Sequence, residues 1–189
     1  MDLVSERITE SIETKKKMMS DGIIRGQIYE TAQLLRDAIE KGGKVLFCGN
    51  GGSASDSLHL AGEMAGRFQK ERKSLPAVSL NADVAVMTAI ANDYGYDYIF
   101  SRILEGIGRK GDVLVGISTS GNSNNICEAV EKAKTMGIRT VCFLGRDGGK
   151  LKDMADIPMI VPSDCTARIQ EAHIMMGHII CELVEDAFS

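Results

Sequence analysis

Three runs in this sequence, KVLFCG at 44–49, DVLVGIS at 112–118 and RTVCFLG at 139–145, show almost no alternation of polar and apolar residues. A strand with one face in water alternates; a strand covered by helices on both faces does not. Two more runs of strand length, PAVSL at 76–80 and DIPMIVP at 156–162, complete a set of five. Longer amphipathic stretches separate them, near 53–68, 83–91, 97–108, 122–136 and 148–154, with a long last one at about 165–188. Two helical segments come first, Leu3 to Met19 and Ile23 to Glu40. Strands alternating with helices predict an α/β fold: a five-stranded parallel sheet with right-handed crossovers in a three-layer αβα sandwich.

A chain of 189 residues with 44% hydrophobic content has enough apolar material for one well-filled core and is short for two. Only three prolines, no Ser/Pro-rich linker and no internal repeat leave no place to divide it, so residues 1–189 are expected to form one domain. The net charge of -4 offers nothing to a nucleic-acid backbone, and the densest basic cluster, Lys15 to Lys17, lies among acidic residues on a solvated helix face. No apolar run approaches the roughly 18 residues of a membrane span, and MDLVSERITESIETKKK lacks the apolar region of a signal peptide. These features predict a cytoplasmic protein with neither nucleic acid nor membrane as partner. The five cysteines are scattered and never form a C-x-x-C pair, which points to small core residues in the main rather than to disulfides or a thiolate metal site.

In a parallel sheet, ligands bind beyond the carboxyl ends of strands, where loops lead into helix N-termini. Two such loops carry chemistry. GNGGS, Gly49 to Ser53, gives a ligand close access to backbone N–H groups, and Ser53 can either cap the next helix or meet an oxyanion. STSGNS, Ser118 to Ser123, places four hydroxyls and a glycine at the mouth of the next helix. Either loop alone reads equally well as ordinary turn chemistry; both at corresponding strand ends describe an anion pocket of neutral donors. GNGGSA also approaches a dinucleotide fingerprint, but the second strand ends SLNAD with Asp83 placed in the next helix rather than at the strand end where it would hold a ribose, and there is no triphosphate-binding G-x-x-x-x-G-K-[ST].

Behind the first loop, His59 and Glu63 stand four residues apart and so share a helix face. In the last helix Gln170 and His178 are about 80° apart around the axis and can border one site, whereas His173 lies about 140° from His178. A surface His/Glu pair and a buried core histidine are the plainer readings of these residues. Against them stands the accumulation of acid, base and ligand groups around two anion loops, with no Ser-His-Asp or Cys-His signature. Anchoring a phosphate at one end and placing a carboxylate and an imidazole at the other suits proton transfer on a phosphorylated small molecule. Zinc held by the same His, Glu, Gln and His is the alternative use of the set. AIANDYGYDYIFSR, 89–102, adds Asn92 and Asp93 before a glycine, read as a loop with groups for sugar hydroxyls or simply as a turn.

GNGGSASDSLHLAGEMAGRF, AIANDYGYDYIFSR, GDVLVGISTSGNSNNI and RIQEAHIMMGHIICELVE resemble, in order and spacing, the phosphoheptose isomerases of the sugar isomerase (SIS) domain family. The resemblance spans essentially the whole chain. It implies a flavodoxin-like SIS fold and conversion of sedoheptulose 7-phosphate to a glycero-manno-heptose 7-phosphate, the first step toward nucleotide-activated heptose for lipopolysaccharide core or other surface glycans. It also implies a homotetramer with active sites at subunit interfaces, the helices of residues 1–40 serving assembly. On the matching positions, Ser118, Thr119, Ser120 and Ser123 would hold the phosphate. Asn50, Gly51, Gly52, Ser53, Asn92 and Asp93 would line the sugar chain. Glu63 and His178 would be the acid/base pair of an enediol mechanism, and His59, Glu63, Gln170 and His178 would be ligands of one zinc ion per subunit, with Gln170 also near the substrate. One departure is Ala167, where some members carry aspartate. The alternatives are a non-catalytic SIS protein of the kind that associates with the replication initiator, whose relatives lack counterparts of Glu63 and His178, and an isomerase of another sugar phosphate.

Overall fold

The computed structural model describes residues 2–189. Helix α1 (Leu3–Ser20) starts at Asp2, whose carboxylate accepts the N–H of Ser5. Asp21 both ends α1, donating its N–H to the carbonyls of Lys17 and Met18, and opens α2 (Gly22–Glu40), accepting from the N–H groups of Ile23 and Ile24. Then follow β1 (Val45–Gly49), α3 (Gly52–Ala65), β2 (Ala77–Ser79), α4 (Val84–Tyr94), α5 (Ile99–Ile107), β3 (Val113–Ser118), α6 (Asn124–Thr135), β4 (Arg139–Gly145), α7 (Leu151–Met154), β5 (Ile157–Val161) and α8 (Thr166–Glu185).

All five strands pair in parallel, in the order β2-β1-β3-β4-β5. The sheet therefore reverses its direction of growth beside β1, and the crevice between the ends of β1 and β3 is the switch point where such sheets bind ligands. The two glycine- and serine-bearing loops end these two strands, and Gly49 lies in register with Ile117.

Alternate strand residues feed two cores. Val45, Phe47, Val113, Val115, Val141 and Phe143 pack with α2, α3 and α8 side chains such as Leu35, Leu60, Met64 and Met176. Leu46, Cys48, Leu114, Cys142 and Leu144 pack with Phe100, Leu104, Ile126 and Val130 of α5 and α6. Every residue of β1 and β3 is buried, as expected where helices cover both faces. Cys48, Cys142 and Cys181 are buried and no cysteine is bridged; burial pushes the thiol of Cys142 up to about 12. Among the described residues no helix is long and apolar enough to cross a membrane.

One sequence expectation is overturned here. Asn92 and Asp93 are not in a loop; they form the last turn of α4. Gly95, at φ +98°, ends that helix by donating to the carbonyl of Ala91, so the glycine is a helix stop rather than the centre of a turn.

Candidate active site

Neither helix behind the two loops is capped by a side chain. Gly51 (φ 57°) stands at the cap of α3 and Ser123 at the cap of α6, each without a side-chain bond to the helix. Both positive dipole ends thus face the crevice. Ser53, which the sequence offered as a cap, sits instead in the first turn of α3, buried. Ser118 and Ser123 pair through their hydroxyls at 2.9 Å, and the Ser120 hydroxyl accepts from the N–H of Asn122 at 3.2 Å. Thr119 is half-buried beside them. The loop is buttressed from behind: Gly121 (φ +65°) lies so close to the carbonyl of Gly148 that no Cβ fits, and the N–H of Leu151 donates to the Gly121 carbonyl at 3.0 Å.

The loops are tied to each other. Asn50 and Asn125 exchange side-chain amide hydrogen bonds, both at 2.8 Å, and the Tyr96 hydroxyl donates to Asn50 Oδ1 at 2.9 Å. Asn81, at the end of β2, accepts from the N–H of Gly49 at 3.2 Å and donates to its carbonyl at 3.0 Å. The strand end where a dinucleotide site would need a carboxylate is thus committed to holding the glycine turn.

Helices α3 and α8 bring three ligand-type groups together. His59 Nε2 lies 3.0 Å from Glu63 Oε1 and 2.9 Å from His178 Nε2, the proton of the imidazole pair residing on either ring. The rings are 5.0 Å apart and tilted by 55°. One ligand atom from each of the three residues falls within 4.8 Å of the others. Gln170 reaches the glycine loop: its side-chain amide lies against Gly52, where a Cβ would stand 2.5 Å from its Nε2. Asn92 donates to Asp93 Oδ1 at 2.9 Å, and both are exposed. His173 faces away, fully buried, its Nε2 2.9 Å from the Leu144 carbonyl. Burial lowers its pKa to about 4, only partly offset by that hydrogen bond.

The SIS domain family model matches residues 6–145. A phosphoheptose isomerase from Clostridium acetobutylicum is 51% identical over 184 residues, covering 97% of this chain and 94% of its own. Among solved structures, a phosphoheptose isomerase from Neisseria gonorrhoeae superposes with a TM-score of 0.91 at 42% identity, covering 97% of both chains. Another from Francisella tularensis gives 0.93 at 35% identity, covering 97% of this chain and 96% of its own. The chain belongs to the SIS domain family, among its phosphoheptose isomerases.

In this SIS protein the donor set fits a metal ion on its own chemistry. Around a tetrahedral zinc with bonds of 2.0–2.2 Å, neighbouring ligand atoms stand about 3.3 Å apart. The two close separations, 2.9 and 3.0 Å, are near that value, and two imidazoles with one carboxylate supply three of the four positions.

Sequence reasoning missed several groups at the site. Asp56, on α3 before His59, is half-buried, and its Oδ2 has no hydrogen-bond partner among the described residues. Burial raises its pKa while His59 and His178 pull it back. Its signal was available, since Asp56, His59 and Glu63 follow an i, i+3, i+7 pattern. Asn125, Tyr96 and Asn81 had no such signal, because each acts on a residue remote in sequence.

Proposed function

We propose that this enzyme, an aldose–ketose isomerase, interconverts sedoheptulose 7-phosphate and D-glycero-D-manno-heptose 7-phosphate through an enediol. The observation that carries the reading is the convergence of His59, Glu63 and His178 behind two uncapped helix N-termini. Ser118, Thr119, Ser120 and Ser123, with the α6 dipole, seat the phosphate. Asn50, Gly51, Gly52, Ser53, Asn92, Asp93 and Gln170 line the sugar chain.

Glu63 removes a proton from C1 of the ketose while His178 protonates the C2 carbonyl oxygen, giving the enediol. His178 then takes the proton from the C1 hydroxyl as the aldehyde forms, and Glu63 returns its proton to C2. No proton is gained or lost overall. His59, Glu63, Gln170 and His178 are the residues that would hold zinc, which would polarise the oxygens on C1 and C2, leaving His178 its second ring nitrogen for the proton. A carboxylate has two oxygens, so Glu63 can take the C1 proton through one while the other keeps its contact with His59 at 3.0 Å.

A single SIS unit over residues 1–189 acts in the cytoplasm, and its product feeds nucleotide-activated heptose for lipopolysaccharide or another surface glycan. The working form is a homotetramer. What supports this is an exposed apolar stripe on α1, Val4, Ile8 and Ile12, continued by Met19 and Ile23, and the absence of any buried residue on the apolar helix α4.

A coupled assay with sedoheptulose 7-phosphate on wild type and Glu63→Gln tests the reading. Turnover by wild type and a loss of about 10²–10⁴-fold in the variant are expected. Zinc retained with isomerisation unimpaired in Glu63→Gln removes Glu63 as the base. A wild type that binds the sugar phosphate without turning it over leaves a binding protein or an isomerase of another sugar.

A further inference from the structure

Between α3 and β2 the chain makes a segment, residues 66–76, without regular structure. It is nonetheless held more closely than most loops. Glu185, two turns beyond His178 on α8, is 1% exposed and accepts three successive main-chain N–H groups. Phe68 donates to Oε1 at 3.0 Å, and Gln69 and Lys70 donate to Oε2 at 2.7 and 2.9 Å. Burial works against this charge, and the three amides with Arg72 overcome it, leaving the Glu185 pKa below the ordinary carboxylate value.

Arg72 is equally buried, its Nε in ion-pair contact with Glu185 Oε1 at 3.1 Å. Its remaining nitrogens donate to the carbonyls of Glu63 at 2.8 Å, Met64 at 2.9 Å, Lys73 at 3.0 Å and Gly66 at 3.3 Å. The last carbonyls of a helix have no partner within it. Here a guanidinium from the following loop supplies one, and the first carbonyl it takes belongs to Glu63. The Ser74 hydroxyl adds a bond to the Ala65 carbonyl at 2.7 Å. The one aromatic ring of the segment, Phe68, stacks on the His178 imidazole, with centroids 5.4 Å apart and planes 23° from parallel.

A buried ion pair is a poor way to gain stability, because desolvation consumes most of the attraction. This one connects the backbone of Glu63 to the helix of His178 and presents Phe68 to the His178 ring. We propose that residues 66–75 are a strap whose Arg72–Glu185 pair fixes α3 against α8, and that Phe68 is a positioning residue setting the ring plane of His178. Phe68 touches no substrate in this assignment; it acts through His178. The inference rests on the isomerase reading for its kinetic consequence, not for its geometry.

The test uses the full-length protein loaded with zinc, as wild type, Phe68→Leu, Phe68→Tyr and the double variant Arg72→Met/Glu185→Met. The double variant replaces both charges with apolar side chains, so it asks about position without leaving one charge buried alone. Expected are a kcat lowered about 10-fold or more in Phe68→Leu with KM within about twofold, recovery in Phe68→Tyr, and a loss in the double variant. Zinc affinity, read by competition with a chelator, falls in the same order. Phe68→Leu with wild-type kcat and zinc affinity overturns the proposal, as does a loss that Phe68→Tyr fails to recover. If wild type shows no turnover, the isomerase reading fails on its own. The strap is then judged by carbon-13 relaxation of the His178 ring, which must loosen in Phe68→Leu and tighten again in Phe68→Tyr; a ring equally rigid in all three overturns it.

Discussion

On one face of α8, His173 is sealed between Leu144 and Phe143, with one hydrogen bond and a second ring nitrogen that has no partner among the described residues. On another face of the same helix, His178 is half-buried, stacked on Phe68 and 2.9 Å from His59. Same residue, same helix, opposite chemistry. Where the surroundings are apolar and give a single acceptor, the imidazole is held neutral and becomes a core side chain with one polar tip. Where a carboxylate, a second imidazole and solvent converge, the ring keeps polar groups within reach on the face it presents to the crevice, which is what its proposed role needs. A histidine's role is therefore set by how many polar groups its position on the helix face gathers.

The contrast can be broken most sharply by kinetics. His178→Ala is expected to lower kcat by about 10²–10⁴-fold. His173→Gln, whose side-chain amide still reaches the Leu144 carbonyl, should stay within a few-fold of wild type while losing about 1–2 kcal/mol in denaturant unfolding. If the two variants lose activity alike, the assignment of the two faces is wrong.

A second test uses pH. His173 has a folded pKa of about 4 against an ordinary value of 6.5, so between these limits the unfolded chain binds the extra proton. Stability from this group is fully present above pH 6.5 and is lost as pH falls toward 4, by an amount on the order of 3 kcal/mol. Unfolding midpoints measured across that window should fall more steeply for wild type than for His173→Gln. Parallel curves would show that His173 does not carry the effect. Glu185, with its depressed pKa, loses its contribution only at the acid end, below the ordinary carboxylate value.

The smallest effect belongs to the other side of the crevice. Ser118→Ala and Ser123→Ala are each expected to raise KM about tenfold with little change in kcat, equivalent to about 1.4 kcal/mol per hydroxyl. Because the two hydroxyls bond each other, the double variant should cost less than the sum. Full additivity would mean that they bind independently.

Much of this was legible in the residues. The buried strands β1, β3 and β4 were readable because a strand covered on both faces drops its polar alternation, and the strand ends then placed both loops at the switch point. His59 and Glu63 were readable because both lie on one continuous helix face. What failed was local ambiguity: NDYG serves equally as a turn or as a helix end stopped by glycine, and the α4 context decided. The contacts that join distant segments left no periodic trace. Neither Arg72 with Glu185 nor Asn50 with Asn125 has a spacing in sequence that helix or strand geometry could announce.

The reciprocal amide bridge between Asn50 and Asn125 locks the first loop to the helix that follows the second. With its glycine loop pinned by Asn81 and its serine loop buttressed at Gly121, the mouth of the crevice is held from both sides. If Ser118 to Ser123 seat the phosphate as proposed, a sugar phosphate one carbon shorter is expected to be anchored by the same hydroxyls and to inhibit turnover competitively, and an inhibition assay checks it.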